Sequence, residues 1–182
     1  MLNPSIYVAL VHHPIINKNG VKVTTSVTNL DIHDIARSAR TFGITKYFIV
    51  TPIQKQHALI NEILGYWNKD FANIYNPDRA DALSFIEIKN TFEDIIQDLE
   101  NPIVAMTGAN FKESSGSMLE LQTLSQREKR PVILVFGTGH GLHPEILERK
   151  DYSVDPIKGL CSDGYNHLSV RSAVAIYLSQ LK

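Results

Sequence analysis

Five short apolar runs, separated by stretches with helical spacing, constrain the fold of this chain most strongly. Apolar residues with high strand propensity fill residues 6–11, 46–50, 85–88, 103–106 and 132–136. Helical spacing is found over residues 32–42, 54–67, 92–99, 118–127 and 168–181. Strands that alternate with helices of this length favour an α/β fold, a mostly parallel sheet with helices on both faces. Ligands of such sheets usually bind at the carboxyl ends of the strands.

The length and composition predict a single domain over residues 1–182. A chain of 182 residues, 43% of them hydrophobic, is long enough for one α/β domain with a full core. We find no internal repeat, low-complexity tract or proline-rich linker. Because no stretch approaches the roughly 18 apolar residues of a membrane span, and the start lacks the basic residues of a signal peptide, we expect a cytoplasmic protein with no membrane partner.

The charges and the cysteine exclude some kinds of site. Eighteen Lys and Arg residues against nineteen Asp and Glu give a net charge of −1, so a polyanion would have to bind a local basic patch. Cys161 is alone, which excludes a disulfide or a cysteine-rich metal site within the chain. His12 and His13 are adjacent and would point to opposite faces of a strand, so we expect no metal.

Three glycines follow the last apolar run, in "VFGTGHGLHPEI" at residues 135–146. Gly137, Gly139 and Gly141 give G-x-G-x-G, one residue short of the dinucleotide-binding fingerprint, and they lie late in the chain. The pattern fits a loop that presents its main chain to a ligand, and equally a tight turn with no ligand. A nicotinamide-dependent oxidoreductase would place the glycines after the first strand, where the sequence reads "HHPIIN" instead.

Another turn signal, Asn19-Gly20, lies between residues 11 and 24. It predicts an exposed, hairpin-like loop.

Three segments together resemble the motifs of the SPOUT class of S-adenosylmethionine-dependent RNA methyltransferases, the SpoU and TrmD superfamily. "TNLDIHDIARSARTFGITKYFIVTP" resembles the first motif, "VILVFGTGHGL" the second, and "DPIKG" with "YNHLSVRSAVAI" the third. The resemblance extends from about residue 26 to the end of the chain, in the right order, and the chain looks like the small predicted RNA methyltransferases of this class. It implies a C-terminal trefoil knot, S-adenosylmethionine as cofactor, tRNA or rRNA as substrate, and a homodimer.

The resemblance also implies which residues hold the cofactor. In this class the adenosine rests on main chain, which explains the glycines. The implied cofactor-binding residues are Phe136, Gly137, Thr138, Gly139 and Gly141 in one loop, Ile157 and Gly159 in a second, Leu168, Ser169 and Val170 in a third, and Thr107 and Gly108 beside the methionine end.

For catalysis, the resemblance points to the first motif. Arg37 matches the motif's arginine, which acts on the target nucleotide or its phosphate, as a guanidinium fork can. A solvated Arg37 paired with Asp31 or Asp34 is the structural alternative. The motif's asparagine falls on Asp31, with Asn29 two residues earlier, so Asn29 and Asp31 are the other catalytic candidates. Asp31 could instead cap the helix.

The third motif departs from the class in two places. His167 stands where relatives that methylate a ribose have asparagine, so methylation of a base or a ribose both stay open. Arg171 and Ser172 replace residues that are small in some relatives, and we expect Arg171 to face a dimer partner or solvent. Because the first motif is also altered, a non-catalytic RNA-binding or regulatory module on the same fold is the alternative function.

Overall fold

The computed structural model describes residues 4–182. In chain order its strands are β1 (Ile6–Val11), β2 (Ile15–Ile16), β3 (Lys22–Val23), β4 (Lys46–Val50), β5 (Ile86–Lys89), β6 (Ile103–Met106), β7 (Val132–Gly137) and β8 (Tyr152–Ser153). Its helices are α1 (Asn29–Thr41), α2 (Gln54–Trp67), α3 (Asp70–Tyr75), α4 (Pro77–Ser84), α5 (Phe92–Asp98), α6 (Met118–Glu128), α7 (Pro144–Leu147) and α8 (Val170–Leu178).

Six of the described strands form one parallel sheet in the order β5-β4-β1-β7-β6-β8. At the carboxyl end of β1, Val11 pairs with Val50 on one side and with Gly137 on the other. The chain first extends the sheet from β1 through β4 to β5 and then returns to the other side of β1. This reversal lies between β1 and β7, and such reversals are where open α/β sheets bind their ligands.

Helices cover both faces of the sheet, as the sequence predicts. Val8 and Leu10 of β1 belong to a core cluster that also contains residues of α1, α2, α4, α6 and α8. Ala9 and Val11 point to the other face, where the cluster includes residues of α5 and α7. Because alternate residues of β1 are buried on opposite faces, the strand is apolar throughout and has no solvent-facing side.

The two helices that flank the predicted site begin at hydroxyl caps. Thr28 caps α1, where its side chain accepts a hydrogen bond from the Asp31 N–H at 3.2 Å. Asp31 is therefore not the cap but lies in the first turn, where a carboxylate favours the positive end of the helix dipole. Ser169 caps α8 in the same way, through the Ser172 N–H at 3.2 Å.

The loop between β1 and α1 differs from the prediction. It is a hairpin of β2 and β3 whose turn, residues 18–22, is exposed as predicted, but whose base is not, because Ile15 is fully buried and pairs with Leu142. Among the described residues, no helix has both the length and the apolarity needed to cross a membrane.

Candidate cofactor and acceptor site

The glycines after β7 serve different purposes. A Cβ added at Gly137 would lie 3.0 Å from the Leu142 main-chain nitrogen, and one at Gly139 would lie 2.9 Å from Cδ1 of Ile15. Close packing inside the protein thus requires both of these glycines. Gly141 is different, because its φ is +118° and an added Cβ would meet nothing within 4 Å. The main chain at Gly141 therefore borders open space.

The hairpin of β2 and β3 binds directly to the glycine loop. The Ile16 N–H donates to the Gly141 carbonyl at 3.0 Å, and the His140 N–H donates to the Ile16 carbonyl at 3.2 Å. The hairpin therefore fixes the loop from one side. The Asn19-Gly20 signal predicts the hairpin turn, but no local pattern in the sequence indicates this contact.

The structure brings the three predicted cofactor segments together. Phe136, Ile157 and Val170, one from each segment, contribute to the same hydrophobic cluster. Tyr177 of α8 packs against Phe136, with 6.0 Å between ring centroids, and its hydroxyl donates to the Asp155 carbonyl at 3.0 Å. The start of the second segment is thereby tied to the end of β7.

The second and third segments are joined by a loop that folds back on itself. The Asn166 side-chain amide donates to the Ile157 carbonyl at 2.9 Å. A Cβ at Gly159 would lie only 2.7 Å from the Tyr165 carbonyl oxygen. This places Gly159 beside the residues that lead into Leu168 and Ser169. The side chains of residues 158–169 are exposed throughout.

Thr107 and Gly108 follow β6, next to the end of β7, where the resemblance puts the methionine end of the cofactor. The main-chain N–H and the hydroxyl of Thr107 both donate to the Val135 carbonyl, at 3.1 and 2.9 Å. Gly108 packs against the Phe111 ring, which lies 3.0 Å from the position of an added Cβ. The Thr107 hydroxyl is thus already used within the protein.

These surroundings fit an adenosyl group. Gly139 and the open side of Gly141 offer main chain, while Ile157 and Val170 are half-buried and Leu168 is exposed, so apolar surface lies within the same group of segments. A site for a small organic cofactor needs apolar contact for the flat base and a few polar main-chain groups at its edge.

Arg37 projects from the outer side of α1. The apolar residues Ile32, Ile35, Ala36 and Ala39 of this helix face the core. Arg37 is exposed and borders an open pocket of about 350 Å³, together with Asp34, Ser38, Thr41 and Phe42. No ion pair or hydrogen bond joins its side chain to any described residue, so its guanidinium donors are available to a ligand.

Asp31 and Asp34 pair with Arg171 of α8, and not with Arg37. Nη1 of Arg171 lies 3.2 Å from Asp31 Oδ1, and Nε lies 3.4 Å from Asp34 Oδ2. Asp31 is only 5% exposed, and its other oxygen accepts from the Thr28 hydroxyl at 2.5 Å. The expectation that Arg171 faces a partner or solvent is therefore wrong, because two carboxylates of α1 hold it. Asn29 is exposed at the first position of α1.

His12, at the end of β1, is a polar residue whose environment the sequence analysis missed. It is 1% exposed, and burial lowers the pKa of its imidazole to about 4, while the Asp31 charge raises that pKa slightly against the larger effect. Its Nδ1 lies 2.9 Å from the Thr25 hydroxyl, and its Nε2 has no hydrogen-bond partner within residues 4–182. Within the same range, His, Cys, Asp and Glu form no group of three or more that is suited to a metal ion.

Two kinds of similar protein chain were found. A protein of Aquifex aeolicus (strain VF5), named only as uncharacterized, is 37% identical over 186 residues, which cover 100% of this chain and 90% of the relative. A tRNA (guanine-N(1)-)-methyltransferase of Oleidesulfovibrio alaskensis is 44% identical over 182 residues, covering 97% of this chain but 42% of the relative. This chain thus covers less than half of the length of the O. alaskensis protein.

Solved structures share the fold at low sequence identity. A probable methylase family protein from Haemophilus influenzae Rd KW20 superimposes with a TM-score of 0.64 at 16% identity, covering 98% of this chain and 65% of that chain. The SpoU methyltransferase AviRb from Streptomyces viridochromogenes, solved in complex with AdoMet, gives 0.56 at 15% identity, with coverages of 98% and 57%. These similarities confirm the α/β fold.

A family model described as SAM-dependent RNA methyltransferase matches residues 5–182, nearly the entire chain. The match includes all three motifs and every residue of the candidate site described above. The chain therefore belongs to the family of S-adenosylmethionine-dependent RNA methyltransferases.

Proposed function

We propose that this chain transfers a methyl group from S-adenosylmethionine to a nucleotide of tRNA. The observation that carries the proposal is that Phe136, Ile157 and Val170, one from each of the three predicted cofactor segments, contribute to the same hydrophobic cluster. The choice of tRNA is supported by the name of the O. alaskensis relative, which is more than twice as long as the match.

The proposed cofactor residues are those that the resemblance implies, from Phe136 to Gly141, at Ile157 and Gly159, and from Leu168 to Val170, with Thr107 and Gly108 beside them. When bound, S-adenosylmethionine supplies a methyl group on a positively charged sulfur. The main chain of the glycine loop would hold the adenine edge, and the half-buried Ile157 and Val170 would cover its faces. Holding donor and acceptor in line is the main contribution that such a site makes to rate.

Arg37 is proposed to bind a phosphate of the acceptor nucleotide. Its guanidinium has no partner in the described chain and faces an open pocket, and a phosphate accepts two parallel hydrogen bonds from such a fork. Asp31 is less suited to contact RNA, because it is buried and both of its oxygens are engaged. Asn29 is exposed at the first position of α1 and is the second candidate for acceptor contact.

The proposal includes a homodimer that works in the cytoplasm, where its RNA substrate is found. Leu160, Tyr165, Leu168 and Ile176 are exposed apolar residues on the 158–169 loop and on α8, next to the proposed cofactor segments. A second copy that covers this surface would place acceptor-binding residues of one chain near the cofactor of the other.

A non-catalytic RNA-binding module is the second candidate function. The observation that favours it is the ion pair of Asp31 and Arg171, which occupies the position of the first motif's asparagine. This alternative predicts binding of the cofactor or RNA without turnover.

The test combines binding with product analysis. Calorimetry with S-adenosylhomocysteine should show micromolar binding, with NADH as the control ligand. Incubation of the protein with S-adenosylmethionine and unmodified tRNA or rRNA, followed by mass spectrometry of the nucleosides, should give a methylated nucleoside from tRNA only. Binding of NADH alone would overturn the proposal, and cofactor binding without any methylated nucleoside would favour the non-catalytic module.

A further inference from the structure

Three side chains form a continuous hydrogen-bonded chain between the ends of β1 and β7. His12 Nδ1 lies 2.9 Å from the Thr25 hydroxyl, which lies 2.5 Å from the Thr138 hydroxyl. The Thr138 hydroxyl in turn donates to the Val11 carbonyl at 3.1 Å. This series of hydrogen bonds begins at the buried His12 and reaches Thr138 in the glycine loop.

The direction of each hydrogen bond follows from counting hydrogens. A hydroxyl has a single hydrogen, and a carbonyl can only accept, so Thr138 uses its hydrogen on Val11. Thr25 must then donate to Thr138, which leaves the Thr25 oxygen to accept from His12. The hydrogen of the neutral imidazole is therefore on Nδ1, and Nε2 carries a bare lone pair.

Thr25 is held rigidly at the centre of this chain. Its main-chain N–H donates to the His12 carbonyl at 3.0 Å, and its carbonyl accepts from the Gln56 side-chain amide at 3.3 Å. Its methyl group lies 3.6 Å from the position of a Cβ on Gly139. Thr25 thus contacts the glycine loop through its hydroxyl, and its methyl group faces the side of Gly139 where a side chain would project.

We propose that His12 and Thr25 are positioning residues that hold Thr138, and with it the glycine loop, in the conformation that binds the cofactor. The inference rests on the proposed function, since it assumes that this loop holds S-adenosylmethionine. Neither residue needs to touch the ligand. His12 fixes the Thr25 hydroxyl, Thr25 fixes the Thr138 hydroxyl, and the side chain of Thr138 is thereby tied to the end of β1.

Burial of His12 defines which atom donates the hydrogen bond to Thr25. The low pKa of His12, about 4, means that the imidazole is neutral at pH 7 and has one hydrogen to give. A buried nitrogen acceptor without a partner is uncommon and costs stability. The bare Nε2 is consistent with a histidine retained for the bond that its Nδ1 makes.

The neighbouring residues provide a matched control. His13 follows His12, Thr24 precedes Thr25, and these neighbours form a second histidine–threonine pair. His13 Nδ1 lies 2.7 Å from the Thr24 hydroxyl. No described contact joins the Thr24 hydroxyl to the glycine loop. Thr25→Val and Thr24→Val each remove one hydroxyl with little change of shape. Only Thr25→Val removes the hydrogen bond to Thr138.

Binding of S-adenosylhomocysteine by calorimetry tests the proposal. We expect Thr25→Val to weaken binding about fivefold or more, the affinity equivalent of roughly one hydrogen bond. Thr25→Ser, which keeps the hydroxyl, should restore binding, and Thr24→Val should bind like the natural chain. Equal affinities of Thr25→Val and the natural chain would overturn the inference and leave the proposed function standing. Absence of binding by the natural chain would overturn both.

A spectroscopic readout separates positioning from simple destabilisation, because it reads the tautomer of His12 directly. Nitrogen-15 NMR of histidine-labelled natural protein should show His12 as the Nδ1–H tautomer, assigned by the loss of its signals in His12→Asn. In Thr25→Val the Nδ1 signal should move, whereas in Thr24→Val it should stay. Detection of His12 as the Nε2–H tautomer in the natural chain would contradict the hydrogen-bond direction and overturn the proposal.

Discussion

Two departures from the SPOUT motifs, Asp31 in the first and Arg171 in the third, meet in the structure as an ion pair. The class has an uncharged asparagine at the first position, and some relatives have a small residue at the second, so Asp31 without Arg171 would place an unmatched charge between α1 and α8. Together the charges compensate each other. Asp31 is therefore better explained as half of a structural pair than as a catalytic group.

A double-mutant cycle tests this compensation. Arg171→Ala leaves the buried Asp31 carboxylate without its cation, and we expect a loss of about 2 kcal/mol in the free energy of unfolding, since Arg171 is partly exposed. Asp31→Asn together with Arg171→Ala restores the motif pattern and should cost at least about 1 kcal/mol less than the sum of the single changes. Urea unfolding measures all three variants. Additive effects would show that the two residues are not coupled.

Arg37 is the residue whose change should affect turnover most selectively. If it holds a phosphate of the acceptor, Arg37→Ala should lower methyl transfer at least about tenfold, or about 1.4 kcal/mol of transition-state stabilisation, with cofactor affinity unchanged. Arg40→Ala is the matched control, because Arg40 lies on the same helix but pairs with Asp81. Rates from tRNA methylation assays and affinities from calorimetry decide the matter. Equal rates for both variants would remove Arg37 from the acceptor site.

At the scale of elements, the docking of the β2–β3 hairpin explains why Gly139 is a glycine. Alanine there must adopt a φ of +59° and place its Cβ 2.9 Å from Cδ1 of the buried Ile15. Gly20 also has a left-handed φ, +75°, but its Cβ position has nothing within 4 Å. Gly139 is therefore constrained by its left-handed φ and by the close approach of Ile15, whereas Gly20 is constrained by its φ alone.

We accordingly expect Gly139→Ala to destabilise the protein more than Gly20→Ala, which should cost only the strain of a left-handed alanine, about 1 kcal/mol. Ile15→Val removes Cδ1, so it should recover part of the loss in combination with Gly139→Ala. Urea unfolding of the four variants gives the comparison. Equal losses for the two glycine changes would show that the hairpin does not constrain the loop.

The elements that the sequence predicts correctly are those with a long hydrophobic pattern. The five predicted strands, all in the central sheet, and helices such as Gln54–Trp67 agree within a few residues at their ends. The missed elements are short, for example β8 with two residues and α7 with four, and their apolar residues are too few to show a period. Helix α1 begins three residues before the predicted start because the Thr28 cap extends it.

The candidate site could be predicted only in part, for a different reason. Motif spacing identified the segments of Phe136, Ile157 and Val170, which the fold brings together. The contact of Arg171 with Asp31 joins residues 140 positions apart, and the contact of Thr25 with Thr138 joins residues 113 apart. Local patterns carry no information on such pairs. The trefoil knot and the roles of the site residues stay predictions.

At the scale of the whole molecule, two groups of exposed apolar side chains lie in different parts of the fold. One group follows the loop and helix beside the cofactor segments, where Leu160 is 100% exposed and Ile176 of α8 is 36% exposed. The other lies at α3, where Phe71 and Tyr75 stack on each other and Ile74 is 82% exposed. Of these two groups, only the first adjoins the proposed cofactor segments, so we expect a dimer that shares the site to use it.

The oligomeric state and its dependence on these two groups form the last prediction. Light scattering of the natural chain should give twice 20.4 kDa at micromolar concentration. Ile176→Glu should shift the mass toward that of one chain, because a carboxylate buried in an apolar interface without a partner costs several kcal/mol. Ile74→Glu, a more exposed position on α3, should leave the dimer intact. A natural chain of 20.4 kDa would contradict the shared site, while dissociation by Ile74→Glu alone would move the interface to α3. Both variants change side chains that are exposed in the single chain, so neither should unfold it. A fall in methyl transfer that accompanies dissociation of the dimer would connect dimerisation to function.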